Sequence, residues 1–495
     1  MRCVGLDLGT TKISAVLIDT DPPPGRVLGV VSREHGAGLP AARPFEHLQD
    51  PERILAAARL ALRGLYGPAD PDTAHWDGMC VTGQMHGVLY ADARGQAVSP
   101  LMSWLDNRAG QPHPAGGTWA QRLSAATGRP IAAGYGAATH FYNRHHGLVP
   151  PRAAWLCTVM DWVTWRLTGG SAGAAGSAAG SADGSTAGGQ PLTDATIAAS
   201  VGLADPLTGR PDPRALREAV LEGLLLPEVV EAGSRVGSTS GEGGLPTGVP
   251  VFAPLGDNQA AFLGAVRDVE AMALLNVGTG GQISAWLPAV PGGKLDAGLE
   301  ARPFPGGGVL LVGATLCAGQ AYALLEEFFR GVLEAFDGRA EGALYERMNA
   351  LAGDSEETGA GGPFVDTRFN GTREDPRISG SIGGITLRNL TPAALVRGFL
   401  AGIAGELHSR YAALVRLRAA APGGLVGSGN GLRRNPALRE EAARRFGMRL
   451  LVPRLREEAA LGAALAAAVG LGRWPGFRAA GQIIRYEEEE EDRDG

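Results

Sequence analysis

The stretch Cys3-Val4-Gly5-Leu6-Asp7-Leu8-Gly9-Thr10-Thr11-Lys12-Ile13-Ser14-Ala15-Val16-Leu17-Ile18 decides the fold class. Two apolar runs flank a tight Gly9-Thr10-Thr11 turn, and one acid, Asp7, interrupts the first run. That pattern predicts two buried strands joined by a turn. About 270 residues later the pattern returns as Leu274-Leu275-Asn276-Val277-Gly278-Thr279-Gly280-Gly281-Gln282-Ile283-Ser284-Ala285, with one extra residue in the turn. Two copies of strand, Gly-Thr turn and strand predict a duplicated domain core.

Working outward, Val27–Ser32 extends the first copy to a meander, and Pro51–Tyr66 reads as a helix. Met79–Thr82 is another short apolar strand, ending at Gly83-Gln84-Met85-His86-Gly87. Strands then alternate with helices, which predicts an α/β class. Thr391-Pro392 and Asn435-Pro436 each give an N-cap and a proline at the first helical position, for helices reaching Leu417 and Gly447. Leu450–Val452 reads as a strand and Glu457–Val469 as a closing helix of small residues. Gly169–Gly189 is almost wholly Gly, Ala and Ser and predicts a flexible surface loop. The Gly-x-Ser-x-Gly within it has no strand before it and no helix after it, so it is not a nucleophile elbow.

Composition excludes several classes. The chain has 495 residues, 45 basic and 51 acidic, with 44% apolar and 19% charged residues, ordinary values for globular proteins. Its 75 glycines follow no Gly-X-Y period. Four widely spaced cysteines form no Cys-x-x-Cys, which predicts a reducing, cytoplasmic setting without a structural zinc. The longest apolar stretch, Ala459–Leu471, is too short to span a bilayer, and scattered arginines give no nucleic-acid surface. The net charge of −6 resides in Glu487–Gly495, with five Glu, two Asp and one Arg, so residues 1–486 are neutral. Net charge therefore says nothing about polyanion binding, which must fall to local loops.

Glycine followed by hydroxyl residues lets backbone N–H groups and hydroxyls approach phosphate oxygens. Either turn alone is an ordinary hairpin loop; the duplication and Asp7 favour a phosphate site, with Asp7 placed to help bind Mg²⁺. No Walker A loop occurs. Asp257, in Gly256-Asp257-Asn258-Gln259, sits at a strand-to-helix junction, where an aspartate is either an N-cap or a rigidly held base for a hydroxyl. Gln84, Met85, His86, Trp104, Asp106, Arg108 and Asn258 combine polar groups with an aromatic face, a mixture suited to polyols. The Gly427-Ser428-Gly429-Asn430-Gly431 loop offers a flat backbone against which adenine could lie, or is an ordinary glycine-rich connection.

These motifs, with Gly371-x-Arg373-x-x-Pro376 and Glu458-Ala-Ala-Leu-Gly462, occur in an order that resembles the FGGY carbohydrate kinases. The resemblance implies two ribonuclease-H-like domains of the actin-like ATPase type with an active-site cleft between them. It would divide the chain into a sugar-binding domain at 1–258, a nucleotide-binding domain at 259–475 and an acidic tail at 476–495. It implies phosphorylation of the terminal hydroxyl of a ketose by ATP with Mg²⁺. Asp257 would be the catalytic base and Asp7 would organise the metal. Thr10, Thr11, Lys12, Gly278, Thr279 and Gly280 would serve the phosphates; Gly427, Ser428, Gly429, Asn430 and Asn435 would line the adenosine site. Within the family the Gly427–Asn435 loop is most similar to sedoheptulokinases, with xylulokinase or another pentulose or polyol kinase as the alternative and a non-sugar actin-fold ATPase as a remote one. Ser14 stands where many relatives carry a basic residue, and Gly371-Thr372-Arg373 replaces the family's Gly-Glu-Arg. The expected partners are a small ketose and ATP, with no nucleic acid and no membrane.

Overall fold

A computed structural model describes the chain except for residues 170–188, 206, 222, 291–294, 297, 339–341, 354–361, 373, 374, 376, 419 and 488–495. The expected loop at 169–189, but for its ends, lies outside the described residues, as do Arg373, Pro376 and the acidic run from 488 onward. The chain forms two compact units. The first is Met1–Arg267 with Arg302–Val309 and Glu457–Ile483; the second is Asp268–Ala301, Leu310–Arg456 and Ile484–Gly495.

In the first unit, β1 (Arg2–Leu8), β2 (Lys12–Asp19) and β3 (Arg26–Glu34) form the expected meander. Helix α1 (Pro51–Leu65) follows, its Asp50 cap accepting from the backbone N–H groups of Glu52 and Arg53. β4 (Gly78–Gly83) then pairs parallel to β1. Helices α2 (Val159–Leu167) and α3 (Ala195–Val201) precede β5 (Arg235–Ser238), β6 (Pro250–Gly256) and α4 (Asp257–Ala265). The six strands run in the order β5-β6-β4-β1-β2-β3, with β6 parallel to β4.

Both faces of this sheet are covered, which explains why β1 and β2 read as continuous apolar runs. Val4, Leu6 and Leu8 share a core with Ile54, Leu55, Ala58 and Leu62 of α1. Gly5, on the opposite face, lies against the helix Glu458–Gly470, where an added Cβ would run into the Ala460 carbonyl. Gly462 meets the Ala260 backbone of α4 in the same way. The small residues of Glu458-Ala-Ala-Leu-Gly462 thus serve close backbone packing.

The second unit repeats the plan. β7 (Met272–Val277) and β8 (Gly281–Leu287) form an antiparallel pair around the second Gly-Thr turn. β9 (Leu299–Pro303), β10 (Val309–Thr315), α5 (Gly319–Asp337) and α6 (Pro392–Val415) follow. β11 (Gly424–Ser428), α7 (Asn430–Arg433), α8 (Pro436–Phe446) and β12 (Leu450–Leu451) complete it. The strand order is β9-β10-β8-β7-β11-β12, with β11 parallel to β7 and β12 parallel to β11. Without the outermost strands β5 and β9, both sheets read third, second, first, fourth, fifth in chain order. Thr391 and Asn435 cap α6 and α8 as expected.

The units differ from a simple cut near residue 258. All of α4 belongs to the first unit, and so does the helix Glu458–Gly470, whose small residues lock it onto α4 and β1. The segment 476–495 is not wholly tail: a 3₁₀ helix spans Phe477–Ile483, and Phe477, Ile483, Ile484 and Tyr486 are buried. Their apolar side chains outweigh the charge that follows. Glu487, at the start of the acidic run, is paired with Arg439 at 3.1 Å.

Candidate active site

The carboxyl ends of β1, β4 and β6 form one row. Leu8 pairs with Gly83, and Gly83 with Gly256, so the segments that follow these residues leave the sheet side by side. In α/β sheets ligands bind at this edge, because the loops there are free to carry side chains. Gly83 allows the close approach, since a Cβ there would lie 2.7 Å from the Leu8 carbonyl oxygen. The Gly9 turn, the Gln84–Gly87 segment and the start of α4 therefore converge.

Two carboxylates stand at this edge. Asp257 opens α4, where the backbone N–H groups of Asp257 and Asn258 favour its ionised form. Burial pushes it up to about 6, against the opposing pull of the Arg302 guanidinium. Asp7 is pushed up to about 7, first by burial, then by the nearby charges of Asp257 and Glu457, with Lys12 acting the other way. Asp7 Oδ1, Thr82 Oγ1, Gln84 Oε1, Asn258 Oδ1 and Gln259 Oε1 are buried without a hydrogen-bond partner in the protein. Buried polar atoms are nearly always satisfied, so these five at or next to the strand ends are open to bonds from water or from a polar ligand. Among the described residues no three His, Cys, Asp or Glu side chains group as metal ligands. The unpartnered Asp7 Oδ1 nevertheless fits Mg²⁺, which takes one or two carboxylates and completes its shell with water and phosphate.

The first Gly-Thr turn is held from outside. The Thr10 carbonyl accepts from Gln49 Nε2 at 2.7 Å and His35 Nε2 at 2.9 Å. His35 Nδ1 accepts from the Ala37 N–H, which fixes the tautomer that donates from Nε2. Gln84 Nε2 donates to Gln49 Oε1 at 2.8 Å, and Trp104 Nε1 to Thr10 Oγ1 at 3.0 Å. Gln84 and Trp104, read as sugar-side candidates, are thus tied to the phosphate-side turn. Lys12 Nζ lies 2.8 and 2.9 Å from the two Glu457 oxygens, so its charge is engaged by a carboxylate that its sequence neighbours did not reveal.

The other candidates divide. His86 holds a left-handed backbone, φ 73°, with its ring stacked on Tyr135 at 4.4 Å and its Nδ1 on the Ser200 carbonyl at 2.7 Å. Met85 is buried against Gly256. Asp106 is 0% exposed, and both its oxygens are occupied: Arg108 Nε at 2.7 Å, Arg108 Nη2 at 2.9 Å and the His47 N–H at 3.0 Å. Arg108 Nη1 continues to Asn143 Oδ1 at 2.7 Å. This corrects the sugar-facing expectation for Asp106 and Arg108. A carboxylate sealed from solvent and saturated within the protein fixes the loop that carries Trp104. A cavity of about 1010 Å³ lined by Leu207, Arg210, Leu221 and Gly306 shares none of the expected site residues.

In the second unit, β7 and β11 run parallel with Asn276 opposite Ser428, so the Gly278–Gly280 turn and the Gly427–Asn430 loop also emerge together. The Thr279 carbonyl accepts from Ala318 and Gln320, and that of Gly278 from Gly319, which anchors the turn to the N-terminus of α5. Gly278 and Thr279 stay exposed. Gly429 has φ 84°, and a Cβ there would lie 2.5 Å from the Val277 carbonyl oxygen. Only glycine lets that loop rest on the turn. Asn430 is exposed, Ser428 is buried, and the Asn435 side chain accepts from the Leu438 N–H at 2.9 Å as a helix cap.

Sequence reasoning missed Gln49, Tyr135, Thr196, Arg302 and Glu457. Only Glu457 had a local signal, as it directly precedes Glu458-Ala-Ala-Leu-Gly462.

Comparisons with known proteins agree with this layout. The N-terminal domain of the FGGY family of carbohydrate kinases matches residues 2–264, and its C-terminal domain matches residues 299–471. The chain is 28% identical to the sedoheptulokinase of Homo sapiens, over 93% of this chain and 96% of that one. It is 29% identical to the xylulose kinase of Streptomyces coelicolor (94% and 87%) and 26% to glycerol kinase 2 of Streptomyces avermitilis (95% and 88%). The crystal structure of xylulose kinase from Rhodospirillum rubrum shares the fold, with a TM-score of 0.80 at 24% identity, over 99% of this chain and 93% of that one. With both family domains matched in order along a twice-built sheet, the chain belongs to the FGGY family of carbohydrate kinases.

Proposed function

We propose that this kinase transfers the γ-phosphoryl group of ATP to the terminal hydroxyl of a ketose, with sedoheptulose as substrate and sedoheptulose 7-phosphate as product. The observation that carries the reading is Asp257, a half-buried carboxylate at the start of a helix, held beside a second carboxylate at a shared strand edge. Asp257 takes the hydroxyl proton as the oxygen attacks phosphorus, and its raised pKa makes it a better base near neutrality. Asp7 would hold Mg²⁺ through Oδ1, and the ion would neutralise charge on the transferring phosphoryl group.

In this reading Thr10, Thr11, Gly278, Thr279 and Gly280 contact phosphate, while Gly427, Ser428, Gly429 and Asn430 line the adenosine site. Asn435 supports that site from its cap position. Gln84, His86, Trp104 and Asn258 face the sugar. Lys12 acts through Glu457, setting the field at Asp7. The likeness to the human sedoheptulokinase across nearly the whole of both chains supports the seven-carbon ketose. Xylulose is the second reading, favoured by the similar identity to a xylulose kinase.

Four buried, unpaired cysteines support a reducing, cytoplasmic setting. No described helix is long and apolar enough to cross a membrane. The test is ADP release with MgATP against sedoheptulose, xylulose and glycerol. Highest kcat/KM on sedoheptulose is expected; preference for xylulose or glycerol overturns the substrate assignment.

A further inference from the structure

Helix α3 has no part in the chemistry described so far, yet it touches two of its groups. At its N-terminus, Thr196 Oγ1 accepts from the Gly256 backbone N–H at 2.8 Å and donates to Asp194 Oδ1 at 2.6 Å. The hydroxyl has one proton, and Gly256 N–H can only donate, so the direction of both bonds is fixed. Gly256 is the cap residue of α4, has no side-chain cap of its own, and directly precedes Asp257. At its C-terminal end, the Ser200 carbonyl accepts from His86 Nδ1 at 2.7 Å, and Ser200 Oγ accepts from the His86 N–H at 3.4 Å. Thr196 is 1% exposed and Ser200 5%.

We propose that α3 is a positioning strut, in which Thr196 fixes the backbone that aims Asp257 and Ser200 fixes the sugar-side His86. One short helix then sets the separation of the base from a group that orients the acceptor sugar. His86 holds a left-handed backbone that a non-glycine residue keeps only when its surroundings over-determine it, and Ser200 supplies two of those restraints. The strut is separable from ordinary capping. Asp194 Oδ1 caps α3 through the backbone N–H groups of Thr196 at 3.0 Å and Ile197 at 3.2 Å, and neither bond needs the threonine hydroxyl. Removing the hydroxyl leaves the cap of α3 and unties α4.

The proposal rests on Asp257 as the base, and the variants separate the two claims. Thr196→Val keeps the shape and loses the hydroxyl; Thr196→Ser keeps the hydroxyl. T196V is expected to lower kcat by about 10- to 100-fold on the best of sedoheptulose, xylulose and glycerol, the scale of a base misplaced by about 1 Å. KM for ATP should stay within about twofold, and T196S should recover most of the rate. Amide exchange read on a peptide covering residues 251–258 should quicken in T196V and not in T196S, a result independent of turnover. Wild-type kcat in T196V, or equal loss in T196S and T196V, overturns the strut. Asp257→Asn assayed beside them is expected to lose about 10²- to 10⁴-fold in kcat. A D257N that turns over at the wild-type rate overturns the base assignment, whereas wild-type T196V beside a D257N slowed to that extent overturns only the strut.

Discussion

The two sheets share one strand order, and their carboxyl edges differ in what they carry. The first edge presents Asp7, Gln84, Asp257 and Asn258, two of them carboxylates with raised pKa values. The second presents Asn276, Ser428 and glycine loops, with Asn276 at the turn position matching Asp7. In the proposed function the same backbone frame supports proton and metal chemistry in one copy and backbone contacts to a nucleotide in the other.

The largest expected effect tests that division at the base. Asp257→Asn should lower kcat by about 10²- to 10⁴-fold, the usual worth of a general base, measured as ADP release at saturating sugar. Asp106→Ala should act on the frame of the first copy and not on its chemistry. Stripping one partner from a buried ion pair costs about 3–5 kcal/mol, so chemical denaturation should show that loss while sugar KM below the unfolding range stays near wild type. On the second copy, Gly429→Ala forces a side chain toward the Val277 carbonyl, and ATP KM should rise about tenfold with a smaller change in kcat.

The pH profile sharpens the comparison further. As the proposed base, Asp257 would work only when ionised, so with its pKa pushed up to about 6, kcat/KM should fall about tenfold per pH unit below about pH 6 and level off above it. The last effect concerns stability. Asp7 keeps its proton in the folded protein up to about pH 7, whereas an unperturbed aspartate releases it near 3.8. Between these values the folded state binds the extra proton, so stability from this group falls as pH rises. Asp7→Asn removes that decline. The variant should be more stable than wild type at pH 8, by up to about 4 kcal/mol, with the gain vanishing below about pH 4, and should lose activity.

Much of the frame was legible because it rests on local rules. The turns at Gly9 and Gly278, the caps at Thr391 and Asn435 and the small-residue helix follow from short-range sterics and hydrogen bonding. Of the candidate site, the sequence made legible only the motifs that sit at strand ends, which the fold brings to one edge, as with Asp7, Gln84 and Asp257. Lys12 and Glu457 are 445 residues apart, and no spacing reveals that a packed helix unites them. Trp-x-Asp-x-Arg specifies three residues in a loop but not their direction, so Asp106 and Arg108 turned out to satisfy each other. Thr196 was invisible because a hydroxyl beside a capping aspartate looks like any helix start. The buried residues 477–486 were hidden by the strongly acidic run that follows them.

The central claim, chemistry at the first edge and nucleotide grip at the second, is tested most directly by MgATP binding to Asp257→Asn, read by titration calorimetry. The expected result is a Kd within about twofold of wild type in a protein whose turnover has fallen by about 10²-fold or more. A variant that loses ATP binding along with turnover, or that still phosphorylates sugar at the wild-type rate, would contradict it.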